Sequence, residues 1–144
     1  MIQAMFDSGA LPTLERLAQF TSRRHQLLAH NVANLNTPYF KARDVDPKTF
    51  QATLRQAIDR RRATTNPTSG PLALRDSREI VFRLNTVELR PQQLNDGILY
   101  HDQNNRDLER MMQKLAENTL AHNTAIDLLS NQFGLLQMAI RERV

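Results

Sequence analysis

The last third of the chain carries a hydrophobic repeat that few folds can accommodate. Leu108, Met112, Leu115, Thr119, His122, Ile126, Leu129, Phe133, Leu136 and Ile140 follow one another in unbroken steps of four and three. A stripe with that period is the seam of an amphipathic helix lying along another helix. It predicts one helix over residues 105–142, ~55 Å long at ~1.5 Å per residue. Gly134 stands off the stripe and leaves its period intact.

The same stepping occurs near the start, through Leu11, Leu14, Ala18, Thr21, His25, Leu28, Val32 and Leu35. A second helix is expected from about Pro12 to Asn34. Pro12 is tolerated in a first turn, and Thr37-Pro38 forces an end because the residue before a proline is driven out of the α region. Asn34 and Asn36 are candidate left-handed caps. Paired antiparallel, the two seams bring Leu35 to Met112, Leu28 to Thr119, His25 to His122, Thr21 to Ile126 and Leu14 to Phe133, although a shift of one heptad also pairs the stripes. The expected fold is mainly α, with two long terminal heptad helices, 11–35 and 105–142, forming an antiparallel coiled-coil hairpin.

Residues 36–104 form a middle segment. Asp46-Pro47 reads as an N-cap followed by proline at the first helical position, starting a short helix whose apolar face is Phe50, Leu54, Ala57 and Ile58, up to Arg62. Residues 63–79 are expected to be a mobile loop, because 63–71 hold Gly70, two prolines and nothing apolar larger than alanine. Ile80 to Leu84 alternates like a strand that Val87 and Leu89 extend to Pro91, and Asn95-Asp96-Gly97 marks a turn.

Several chemistries have no residues to carry them. The 144 residues suit one elongated subunit, and the absence of cysteine removes disulfides, thiolate metal sites and a cysteine nucleophile. Four glycines form no phosphate loop, and no serine sits in a nucleophile elbow. His25 and His30 are five apart, so they do not make a metal-binding pair on one helix face. No enzyme activity, cofactor or metal is expected. The start lacks the basic and apolar regions of a secretory signal, and no window suits a membrane span.

Beside each seam runs a second apolar face, with Leu17, Phe20 and Leu27 on the first helix and Leu120, Leu128, Leu135 and Met138 on the last. A lone hairpin has no use for it, and the middle segment has few apolar residues to cover it, so these residues are the expected assembly face.

The end of the first helix reads Asn31-Val32-Ala33-Asn34-Leu35-Asn36-Thr37-Pro38-Tyr39-Phe40-Lys41. This resembles the signature of the bacterial flagellar axial family of rod and hook proteins. Asn31, Ala33, Asn34, Thr37, Pro38, Phe40 and Lys41 match it by position, and Tyr39 stands where many members have glycine. Ala42 to Asp46 with Phe50, and Lys114 to Asn118, look like the proximal rod members; the middle of the chain is unmatched. The resemblance implies a structural rod subunit of the flagellar basal body, exported by the flagellar export apparatus without a cleaved signal and assembled in the rod crossing the periplasm. Its partners would be copies of itself and other rod and basal-body proteins, with no nucleic acid and no membrane insertion. Two rival readings are a basic helical nucleic-acid binder using Arg55, Arg60, Arg61 and Arg62, and a free-standing coiled-coil adaptor. The charge distribution leaves the first open, since residues 16–90 hold 14 basic and 6 acidic side chains, whereas 91–144 hold 5 and 7.

Overall fold

A computed structural model describes residues 9–67, 69–70, 72–84, 86–94 and 107–141. Three helices and two small antiparallel sheets occur in the order α1 (Leu11–Ala33), β1 (Arg43–Asp44), α2 (Pro47–Arg62), β2 (Ile80–Phe82), β3 (Val87–Leu89), β4 (Gln92–Gln93) and α3 (Leu108–Arg141). The local signals act as expected at most ends. Pro12 lies in the first turn of α1. Asp46 caps α2 by accepting from the Lys48 amide at 3.0 Å, and Asp107 accepts from the Arg110 amide at the start of α3 at 3.0 Å. The Asn95-Asp96-Gly97 turn and the expected ends of the last helix at 105 and 142 lie outside the described residues.

The continuous strand expected from Ile80 towards Pro91 is a hairpin instead. β2 pairs with β3 in the register Ile80 with Leu89 and Phe82 with Val87. The chain reverses because the Arg83 amide bonds to the Thr86 carbonyl at 2.9 Å, while the Arg16 guanidinium grips the Arg83 and Leu84 carbonyls at 3.0 and 2.6 Å. β1 and β4 form the other sheet, with Arg43 opposite Gln93 and Asp44 opposite Gln92.

The middle segment contributes a core of its own. Phe20, Val45, Phe50, Leu54, Ile80 and Val87 bury together, with Leu72 and Leu74 packed against them. Phe20 and Phe50 stack with ring centroids 4.1 Å apart. At ~1.5 to 3 kcal/mol per buried large side chain, this cluster alone gives α1 a firm seat on α2 and the β2–β3 hairpin. A smaller cluster of Leu35, Ala42 and Met111 joins the end of α1 to the start of α3.

α1 and α3 run antiparallel in contact, about one heptad from the first expected pairing and with α3 turned so that Asn118 and Ala125 replace Thr119 and Ile126 on its inward line. Thr21 meets Asn118 and His122 rather than Ile126: the Asn118 side-chain amide donates to the Thr21 carbonyl at 2.8 Å, and the Thr21 hydroxyl shares a hydrogen bond with His122 Nδ1 at 2.9 Å. His25 is exposed and does not face His122. The inward line of α3 is Met111, Leu115, Asn118, His122, Ala125 and Leu129, which leaves Met112, Ile126, Phe133 and Ile140 between 41 and 55% exposed. On α1 the seam positions His25 and Val32 give way to Arg24 and Asn31. The observed register gives the buried polar groups their partners, Asn118 meeting the Thr21 carbonyl and Lys114 the Asp44 carboxylate. Beyond Ala125 no described residue of α3 is fully buried.

Candidate assembly site

The family-like motif begins inside α1 with Asn31, 1% exposed. Its amide clamps the backbone of Arg43 from both sides, donating to the carbonyl at 2.6 Å and accepting from the N–H at 3.2 Å. It is a brace for β1 in the place where a helix end would ordinarily need only a cap. One residue on, Asp44 receives a two-pronged hydrogen bond from Arg24, at 2.9 and 2.8 Å, with both side chains 6% exposed. Lys114 of α3 reaches the same carboxylate at 3.2 Å, and the Val45 amide donates to it at 2.8 Å. A planar guanidinium matches a carboxylate in two parallel bonds, and a pair so placed becomes very costly to break by removing one partner. Thus α1, β1 and α3 meet at one carboxylate.

The rest of the motif shapes the exit from α1. The Asn34 side chain donates to the His30 carbonyl at 2.8 Å, and successive turns follow through Thr37 to Asn34 at 3.0 Å and Phe40 to Thr37 at 3.2 Å. The Phe40 ring stands edge-on to His30 at 5.6 Å. Asn34 is not left-handed, having φ −101°; among the described residues the only non-glycine with positive φ is Tyr39, at 60°. The residue that replaces the usual glycine keeps the glycine-like backbone, at a cost of ~1 to 2 kcal/mol for an L side chain. Ala33, Thr37, Pro38 and Lys41 are exposed.

The expected assembly residues divide into two sets. Phe20 is 2% exposed and Leu17 packs beside it, so both belong to the subunit's own core. The middle segment covers them after all, because its few apolar side chains converge from α2 and both strands of the hairpin. Leu27 is half-buried at the margin of that core. Leu120, Leu128, Leu135 and Met138 stand 45 to 70% exposed along α3. The arginine run is less free than it looked, since Arg61 donates to the Gly9 carbonyl at 2.7 Å. Among the described residues no cluster of three potential metal ligands exists.

Sequence reasoning missed Arg24, Asp44, Lys114 and Asn118. A signal existed for one of them: Arg24 continues the inward spacing of Leu14, Ala18, Thr21 and Leu28 as well as His25 does, and the motif residue Asn31 does the same beside Val32. A search restricted to apolar stripes passes over polar residues of equal geometric standing.

No family model matches the chain. A flagellar basal body rod protein FlgB from Yersinia enterocolitica is 30% identical over 139 residues, covering 93% of this chain and 95% of that one. The chain belongs to the FlgB family. Members from Borrelia hermsii, 29% identical over 132 residues, and Escherichia coli K12, 28% over 127, cover 88 and 86% of the chain and 91 and 87% of their own lengths. FlgB similarity therefore runs through the middle segment, which the motif comparison left unmatched, as well as both long helices.

Proposed function

We propose that this protein is a structural subunit of the flagellar basal-body rod, built into it through its long helices. End-to-end similarity to FlgB rod proteins carries the reading, and the exposed apolar residues of α3 support it, since four large side chains standing in water over one helix invite a protein neighbour. The subunit is not an enzyme. Other rod and basal-body proteins are its neighbours, and it reaches them through the flagellar export apparatus without a cleaved signal, taking its place where the rod crosses the periplasm. Among the described residues no helix is long and apolar enough to cross a membrane. In the rod, the stretch of α3 beyond Ala125 joins neighbouring helices in coiled-coil contacts, using Ile126, Phe133 and Ile140 of the heptad stripe together with the outer leucines. The motif from Asn31 to Lys41 fixes the direction in which the middle segment leaves that helical core. The nucleic-acid and adaptor alternatives draw no support from the relatives.

Deletion of the gene in its own bacterium tests this. Cells without the protein should be non-motile and lack rods, and complemented cells should yield basal bodies that contain the chain with its N-terminus uncleaved. Swimming deletion cells, or basal bodies free of the chain, contradict the reading.

A further inference from the structure

Two cavities of about 490 and 360 Å³ lie side by side against α1 and share Leu27 and Pro91. Together they make one groove. Its floor is apolar and half-buried, with Leu27, Phe40, Leu89 and Pro91, and no described residue of α3 lines it. Arg23, Leu27 and His30 share one side of α1, turned away from Thr21 and Leu28, which face α3. The rim is cationic. Arg23, Lys41 and Arg43 have no side-chain hydrogen bond or ion pair to any described residue, whereas the one acid of the rim, Glu88, is already paired with Arg83 at 3.4 Å.

The same chain carries the complementary surface. Between Leu115 and Ile140 the only charged side chains are Glu117 and Asp127. At the helical repeat Asp127 and Leu120 fall on the outward side of α3, opposite the buried Asn118 and Ala125, and the exposed Leu128 flanks that side. Asp127 has no partner among the described residues. Leu120 and Leu128 stand ~12 Å apart along the axis, and the groove runs ~10 Å from Arg23 to His30, at ~1.5 Å per residue.

Resting on the rod reading above, we propose that this groove receives the outward face of α3 from a second copy of the chain, with Leu120 and Leu128 over Leu27 and Phe40, and Asp127 and Glu117 towards Arg23, Lys41 and Arg43. Groove and ridge lie on different sides of one subunit, so the contact is head-to-tail and leaves a free groove at one end of the joined copies and a free ridge at the other. Such an interface propagates instead of closing a pair. Apolar anchors supply the attraction, and the opposed charges set register and reject the reversed arrangement.

The cysteine-free sequence makes the test direct. Thr86, at the groove, and Thr124, on the outward side of α3, are replaced by cysteine in separate chains co-expressed in a deletion strain, so that every charge is kept. Oxidised basal bodies should contain disulfide-linked dimers of one Thr86→Cys and one Thr124→Cys chain. In parallel, Lys41→Glu with Arg43→Glu should abolish swimming, and adding Glu117→Lys with Asp127→Lys to the same chain should restore it. Rods that assemble without the crosslink, a crosslink to a different protein, or charge reversal that no second reversal rescues each overturn the groove contact while the rod reading stands. Failure of the unaltered chain to complement overturns the rod reading itself.

Discussion

α1 and α3 carry the same kind of heptad stripe and end up in opposite situations. Eight of the 23 residues of α1 are buried, against Met111, Asn118 and Ala125 in the 34 residues of α3. The stronger stripe belongs to the barer helix. α1 is gripped on one side by α3 and on another by the core that Phe50, Ile80 and Val87 build, so its apolar side chains are used within the subunit. α3 touches the rest of the subunit along a single line and shows most of its large side chains to solvent. A heptad stripe therefore reports that a helix has a neighbour without saying whether the neighbour lies in the same chain.

That contrast is easiest to break at the polar junction joining the two helices. Asp44→Ala strands Arg24 and Lys114 beside one another and should cost ~3 to 5 kcal/mol of folding stability in urea titration. A loss below ~1 kcal/mol would mean that packing alone fixes the register of α3.

Next come matched truncations on the two helices. Phe20→Ala should cost ~3 to 5 kcal/mol because it empties the stack with Phe50. Leu128→Ala on the outer side of α3 should change the stability of the isolated subunit by less than ~0.5 kcal/mol. Equal effects would erase the distinction between a helix used inside the subunit and one kept for its neighbours. Leu128→Glu sharpens the point: the monomer should unfold at nearly the unaltered denaturant concentration, yet swimming should be lost, because the charge meets an apolar surface only in the assembly.

The smallest expected effect concerns the exit from α1. Tyr39→Gly should stabilise the subunit by ~0.5 to 1 kcal/mol, the relief of a left-handed L residue less the chain entropy that glycine adds to the unfolded state. A destabilised variant would show that the tyrosine ring supplies more than its backbone costs.

What the sequence made legible follows the same division. The periodic helices, the Asp46-Pro47 start of α2 and the family motif could be read directly, because each rests on local spacing or local backbone preference. The register of α1 against α3 could not, since it depends on where Asn118 and Asp44 find donors and acceptors, and a stripe of leucines is silent about that. Phe20 was misplaced for a related reason. Its partner Phe50 lies 30 positions away by number, and only the folded middle segment brings the rings together. Leu120 and Leu128 were recognisable as surplus apolar residues, whereas the groove is made by Leu27, Phe40, Leu89 and Pro91 from three separate stretches of chain.

Amide hydrogen exchange along α3, compared between the isolated subunit and assembled rods, tests the central claim most directly. In the monomer, protection should be strong around Asn118 and Ala125, where α3 lies on α1, and should fall away from Asp127 towards Arg141, because a helix with one bare side and no buried residue opens easily. In rods the distal stretch should become as protected as the rest. Uniformly strong protection of residues 127–141 in a monomer would contradict the account, since it would show that α3 needs no neighbour to complete it.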